Sequence, residues 1–396
     1  MRHLFVTQDY GPDRGGMARR HVELVRRYSA DPDEMEVSTV TLEGDSDFDR
    51  FEDYTIHRQP FHFREASRFN NQVKWARWLV SHCRDRIDVI HCGNIRPVGY
   101  SVWWASVRLG IPYIVYVNGG DLLRERQKAS RSVLKRAAAR RILGRASGIA
   151  ATSQWVAELA GEVMNEIGIR NVPPIAALAL GTDPESFSPA RDTGRLRTLW
   201  NAGDGPIVLT VARLVPHKGQ DTVIRAIANI SADFPDLRYV LVGEGHDEER
   251  LRRLASELGV HDKVIFAGAL PDYDLPEAYA TANIYAGASR VDNEINVEGF
   301  GISFLEASAS ALPVVAGDSG GVRSAVRDGE TGIVLPPTDA DRWSRTLGEL
   351  LRDPARQESL GKAGRAAVES FYNWDRVARD TREFTLTAIG GKKLGR

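Results

Sequence analysis

The feature that most restricts the fold of this chain is an alternation: short apolar runs, each followed by a stretch of helical periodicity. Strands covered on both faces by crossover helices read this way, so a parallel α/β architecture is expected. In the first half the expected strands are His3–Thr7, Glu36–Leu42, Tyr54–Arg58, Asp88–Cys92, Tyr113–Asn118, Gly148–Thr152 and Ile175–Leu180. Gly16–Tyr28, Gln72–Arg84, Val98–Leu109 and Gln154–Ile167 are the clearest helices between them. A turn-rich segment, Gly181–Pro189, then leads into a second series: Ile207–Ala212, Arg238–Gly243, Lys263–Ala267, Ile284–Ala288, Pro313–Ala316 and Gly332–Leu335. The 396 residues exceed what one core supports. Two Rossmann-like doubly wound domains are therefore expected, residues 1–184 and 185–373, facing a central cleft, with the amphipathic C-terminal helix 374–390 packing back on the first.

Composition narrows the function classes. A net charge of -1 points away from nucleic acid. The two cysteines, Cys83 and Cys92, are too few to staple such a chain, which suits a reducing compartment. The N-terminus enters a strand directly, without a signal h-region, and no apolar run approaches the roughly 18 residues of a membrane span. A cytoplasmic protein is expected, with peripheral membrane contact at the inner face left open.

Open α/β sheets bind ligands at the carboxyl ends of their strands, and four features fall there. Asp9-Tyr10-Gly11-Pro12-Asp13-Arg14-Gly15-Gly16 joins the first strand to the first helix, with glycines that let a phosphate approach a helix N-terminus. An ordinary strand–helix turn has the same composition. Val117-Asn118-Gly119-Gly120-Asp121 follows a later first-domain strand. In the second domain, Arg213 and Lys218 lie in the loop after its first strand, where two cations neutralise a diphosphate without metal. Val297-Glu298-Gly299-Phe300-Gly301-Ile302 then opens the helix that carries Glu306. Carboxylates beside free helical N–H groups match sugar hydroxyls, which donate to the acid and accept from the backbone.

Taken together, Arg213 to Lys218-Gly219, Val242-Gly243-Glu244-Gly245, the Glu298/Glu306 pair, and Leu312-Pro313-Val314-Val315-Ala316-Gly317 through Gly320-Gly321 resemble the retaining glycosyltransferases of family 4, which have the GT-B fold. The likeness spans the chain and is nearest to the branch containing bacterial phosphatidylinositol mannosyltransferases. It implies a retaining, metal-independent hexosyltransferase that uses a GDP- or UDP-sugar as substrate, with no cofactor. Arg213, Lys218 and Glu298 would be catalytic. Gly15, Gly16, Asn118, Leu270, Gly299, Phe300, Gly301, Ile302 and Glu306 would bind the donor, Glu306 through the ribose and the segment near Leu270 through the base. Asp9, Tyr10, Arg14 and Asp121 would lie on the side of a hydroxyl acceptor: a lipid, saccharide or polyol. Many relatives carry an H-G-x-E-like pattern where this chain has Asn118 and Asp121, so a catalytic histidine is not assigned.

Acidic pairs at D-x-D spacing occur at Asp45/Asp47/Asp49, Asp31/Asp33 and Asp272/Asp274, each read as a solvated loop or turn and none as a metal site. A sugar-nucleotide epimerase and a non-catalytic sugar-nucleotide binder are the alternatives. Residues 124–145 carry nine Lys/Arg and one acid, Glu125, and read as a basic amphipathic helix able to meet an anionic membrane. Its expected apolar stripe is Val133, Leu134, Ala137, Ala138 and Ile142.

Overall fold

The computed structural model describes residues 1–13, 15–29, 34–60 and 68–390, apart from the side chains of Ser29 and Arg68. The chain forms two units, Met1–Ala179 joined by the final helix Trp374–Gly390, and Leu180–Asn373. The expected boundary after residue 184 lies inside the second unit, where Thr182 N–H donates to the Tyr372 carbonyl at 2.8 Å.

The first unit holds β1 (Arg2–Val6), β2 (Glu34–Val40), β3 (Ile56–Gln59), β4 (Val89–Cys92), β5 (Tyr113–Val117), β6 (Gly148–Ala151) and β7 (Ile175–Ala177). They form one parallel sheet in the order β3-β2-β1-β4-β5-β6-β7. The second unit holds β8 (Ile207–Val211), β9 (Arg238–Val242), β10 (Val264–Gly268), β11 (Ile284–Gly287), β12 (Val314–Gly317) and β13 (Gly332–Leu335). These are likewise parallel, in the order β10-β9-β8-β11-β12-β13. Both units are doubly wound. In such an order the chain reverses direction across the sheet between β1 and β4, and again between β8 and β11, and the carboxyl ends of those strands diverge into a crevice.

Helices cover both faces of each sheet, so the central strands are buried along nearly their whole length; β4, β5, β6, β8, β11 and β12 are mostly Val, Ile, Ala, Leu and Tyr. Large aromatics close the two cores, each with its polar atom satisfied. The Trp75 indole N–H donates to Ser38 Oγ at 2.9 Å, and the Trp343 indole N–H to the Pro336 carbonyl at 3.0 Å. Cys83 and Cys92 are buried free thiols. No helix among the described residues is long and apolar enough to cross a membrane.

Two expectations about local structure need correction. Residues 120–145 form two helices, Gly120–Arg131 and Val133–Arg145, rather than one. Ser132 breaks them: its backbone is extended (φ −156°, ψ 119°) and its hydroxyl accepts the Lys135 N–H, capping the second helix. The break turns Val133 and Leu134 outward, 81% and 83% exposed, while Ala139, Ile142 and Leu143 form the buried stripe. Asp45–Asp49 is a short helix, not a loop, with Asp49 paired to Arg58 at 2.6 Å. Asp31 and Asp33 lie outside the described residues. Asp274 sits at the start of the helix Leu275–Ala280 and pairs with Arg195.

The final helix packs against the helix Gly16–Ser29 and β6, with Phe384 and Ala388 over Gly148. Arg376 ties its first turn down, donating to the Ala179 carbonyl at 2.7 Å and to Asp380 at 3.0 Å. Replacing Arg376 with Met leaves that carbonyl without its charged donor. Urea unfolding should show a loss of about 1–3 kcal/mol, whereas Arg379→Met, at an exposed position of the same helix, should change little.

Candidate functional site

The second unit assembles its site from two loops that leave adjacent strands at the reversal point. The loop after β8 runs from Ala212 through a single 3-10 turn, Pro216–Lys218, into the helix Gln220–Ile230. The loop after β11 runs from Ala288 to Gly301, where the helix Ile302–Ala309 begins. They are pressed together. A Cβ on Gly219, whose φ is +69°, would fall 1.9 Å from the Ala288 carbonyl oxygen, so only glycine fits. Arg290 N–H donates to the His217 carbonyl at 2.8 Å, and its guanidinium grips Asp221 with both nitrogens, at 2.9 and 3.1 Å.

This lacing brings Lys218 Nζ within 2.5 Å of Glu298 Oε2, across the two loops and 80 residues of sequence. Ser289 Oγ donates to the same carboxylate at 3.4 Å, and Gly321 N–H holds the Glu298 carbonyl at 2.9 Å. Burial would raise the Glu298 carboxyl. The charge and hydrogen bond of Lys218, with His217 and Ser289, outweigh it and hold the carboxyl below the usual range. His217 is driven down to about 4, first by burial and then by the charges of Lys218 and Arg213, against the pull of Glu298. The result is a neutral imidazole beside a charged pair.

Arg213 is exposed at the mouth of the loop. Its backbone is anchored by Gln220 Nε2, which donates to the Arg213 carbonyl at 2.9 Å, and by Leu214 N–H to the Glu244 carbonyl at 2.9 Å. Glu306 is 4% exposed and accepts from the Tyr279 hydroxyl at 2.6 Å. Gly301 caps its helix with a positive φ of 97°, and Glu298 lies three residues before that N-terminus. The Phe300 ring is buried against Tyr372, leaving its backbone as the part able to meet a ligand. Gly299 and Ile302 flank it, and Leu270 is half-buried just beyond β10.

The first unit builds a matching polar bridge at its own reversal point. Asn94, just beyond β4, donates from Nδ2 to Asp9 Oδ2 at 2.7 Å and accepts at Oδ1 from Thr7 Oγ1 at 2.9 Å and from Gln8 N–H at 3.3 Å. Asn118 accepts from Arg20 at 2.9 Å, and its backbone N–H bonds to Asp121 Oδ1 at 3.0 Å. Asp121 also accepts from Leu122 N–H at 2.9 Å, so it serves the start of its own helix; burial pushes its carboxyl up despite these bonds. Burial likewise lowers Arg20 to about 10 and His21 to about 3, His21 also through the Arg20 charge.

Tyr10 departs from the expectation of an acceptor-side residue. Its side chain is fully buried and its hydroxyl donates to the Tyr54 hydroxyl at 2.7 Å, because an aromatic ring there fills the gap beneath the loop rather than lining its surface. Gly15 and Gly16 are exposed, and Arg14 lies outside the described residues. Sequence reasoning missed Asn94, Arg20, Ser289 and the Asp221–Arg290 clamp. Asn94 had a signal, as the first polar side chain after an apolar strand; the others face the site only once the loops are folded.

Chemically, the second unit offers two cations, a deprotonated carboxylate and glycine-permitted backbone N–H groups at the end of one sheet. That set suits a phosphorylated, polyhydroxylated ligand. Residues 197–367 match the family described as Glycosyl transferases group 1, and residues 15–173 the Glycosyl transferase 4-like domain. A GDP-mannose-dependent alpha-(1-6)-phosphatidylinositol monomannoside mannosyltransferase of Mycobacterium tuberculosis is 30% identical over 97% of both chains. A GDP-mannose-dependent monoacylated alpha-(1-6)-phosphatidylinositol monomannoside mannosyltransferase of Corynebacterium glutamicum is 31% identical over 94% of both. Among solved structures, Anabaena HepE in complex with UDP and glucose superposes with a TM-score of 0.78 at 19% identity, covering 97% of this chain and 99% of that one. The fold is GT-B and the protein is a glycosyltransferase. More particularly, the chain belongs to the group 1 glycosyltransferases and is a hexosyltransferase.

Three histidines held below their ordinary pKa, His217, His21 and His91, set a pH dependence. Between about pH 6.5 and about 4 the unfolded chain binds protons on them that the folded chain refuses, so stability falls as pH is lowered through that window. Glu298, with its carboxyl held low, adds its own loss only as pH drops below the ordinary carboxylate range. Urea midpoints measured from pH 7 to 4 should decline, and His217→Asn should flatten the decline. An unchanged slope in that variant would show that His217 is not held neutral.

Proposed function

We propose that this chain transfers mannose, with retention of anomeric configuration and without a metal, from GDP-mannose to a phosphatidylinositol-mannoside-type lipid at the cytoplasmic face of a membrane. The observation that carries the donor half is the Lys218–Glu298 contact at 2.5 Å beside Arg213, at the reversal point of a doubly wound unit. Arg213 and Lys218 hold the diphosphate, and their charge offsets the negative charge that grows as GDP departs. Glu298 accepts from hydroxyls of the transferred sugar, with backbone N–H groups at Phe300 and Gly301 donating beside it. Glu306 takes the ribose hydroxyls. In the first unit, Asn118 and Asp121 shape the loop on the acceptor side. The bond from the anomeric carbon to the phosphate oxygen breaks, the acceptor oxygen bonds to that carbon from the same face, and the acceptor proton passes to the departing phosphate. The relatives' names support the choice of donor and acceptor.

The lipid acceptor has a further support in the first unit. Val133 and Leu134 project from the Ser132 break, with Arg131, Lys135, Arg136 and Arg140 exposed around them. Apolar side chains ringed by cations fit an anionic bilayer surface, each Lys or Arg near it contributing about 1 kcal/mol.

Two experiments test these halves separately. With GDP-[14C]mannose as donor, Lys218→Ala and Arg213→Ala should each lower kcat/KM on the order of 10²-fold, a loss of roughly 3 kcal/mol of transition-state stabilisation. Near-normal turnover by Lys218→Ala would remove it from the diphosphate site. In vesicle flotation, the wild-type chain should bind phosphatidylinositol-rich vesicles at low salt and release them as salt rises. Replacing both Val133 and Leu134 with Asp should abolish flotation while leaving GDP binding unchanged. A wild-type chain that ignores such vesicles would favour a soluble polyol acceptor instead.

A further inference from the structure

Away from the donor site, at the β3 edge of the first sheet, three side chains from three elements converge. Glu36 comes from β2, His57 from the neighbouring β3, and His82 from the last turn of the helix Arg68–Cys83. Both imidazoles aim the same atom at one carboxylate oxygen: His57 Nε2 lies 2.8 Å and His82 Nε2 2.7 Å from Glu36 Oε2. One ligand atom from each lies within 4.8 Å of the others, and no other such group occurs among the described residues.

The rings are held by packing as well as by these contacts. Trp78, one turn before His82, stacks on it at 4.6 Å with an interplanar angle of 8°, and its indole also meets the His57 ring at 5.2 Å. The side chains are 26%, 11% and 33% exposed for His57, His82 and Glu36, enough for an ion to enter and keep a water. Cys83, next in sequence, is turned into the apolar core and adds no thiolate.

We propose that Glu36, His57 and His82 form a binding site for a divalent transition ion of the Zn²⁺ or Co²⁺ class, with a water in the fourth position, that clips edge strand β3 to the helix end. Two imidazoles and one carboxylate suit a borderline ion and are poor ligands for Mg²⁺ or Ca²⁺, which take oxygen donors. Tetrahedral bonds of about 2.0–2.1 Å set ligand atoms roughly 3.3 Å apart, so the present contacts need to open by about 0.5 Å, within side-chain adjustment. Each imidazole then carries its proton on Nδ1 and presents the Nε2 lone pair to the ion. A short strand at a sheet edge gains most from such a cross-link, because its outer side has no strand partner. The site is separate from the glycosyl-transfer residues and does not depend on their roles.

The test uses the full chain without a histidine tag, stripped with a chelator and desalted. Co²⁺ is titrated while its visible absorption is recorded, and Zn²⁺ is titrated calorimetrically. One equivalent should bind per chain, the cobalt band should intensify beyond that of the aquo ion, and Zn²⁺ should displace it and raise the unfolding midpoint. His57→Gln and His82→Gln keep a donor towards Glu36 but remove the imidazole. Each should weaken binding by more than the roughly tenfold that losing even an outer-shell partner costs. A cobalt spectrum that stays that of the aquo ion in the wild-type chain overturns the proposal, whatever the variants do. So does binding of equal strength in both glutamine variants, which would place the ion elsewhere.

Discussion

The ion pair between Lys218 and Glu298 depends on nearly everything else in the second unit. A lysine and a glutamate 80 residues apart meet at 2.5 Å only because β8 and β11 are neighbours in the sheet. Their loops must also pack so closely that one position admits no side chain, as at Gly219. Half-buried pairs of this kind add little to stability, since desolvation offsets most of the attraction. The effect of the pairing is instead to keep the Glu298 carboxylate ionised and to hold the two side chains in place. Glu298 stays deprotonated despite its burial, and His217 beside it stays neutral. A site poised in this way meets a charged ligand with little reorganisation, which is where electrostatic catalysis draws its strength.

The first unit repeats the geometry with different chemistry. At its reversal point the bridge from Asn94 to Asp9 is a hydrogen bond between an amide and a carboxylate, and the cation nearby, Arg20, is buried and tied to Asn118. The His3–His91–Tyr116 chain beneath it, linked at 2.9 and 2.8 Å, is sealed in the sheet. Burial holds His91 far below its ordinary pKa, so it acts as neutral packing.

Much of this was legible beforehand. Among the described residues every strand overlaps a segment expected from the sequence, the central ones because a strand buried on both faces has to be apolar along its length. That Arg213, Lys218 and Glu298 fall in loops at strand ends was legible too, because each loop follows an apolar run. Local geometry was less so. The basic stretch 124–145 has the charge and periodicity of one helix, and only the extended backbone at Ser132 shows that it is two, with Val133 and Leu134 turned outward rather than inward. Tyr10 shares the composition of its loop, but its ring drops into the space beneath it.

By itself, then, the sequence determined the alternation of strand and helix, the division into two doubly wound halves, and the residue types at each strand end. These follow from local patterning, which every segment carries in its own composition. Tertiary structure alone decided which of those residues meet: Lys218 with Glu298, Asn94 with Asp9, Glu36 with His57 and His82. Each pairing joins segments brought together by strand order and by loops of fixed reach. Contacts between distant segments arise from packing, and hydrophobic periodicity carries no record of them.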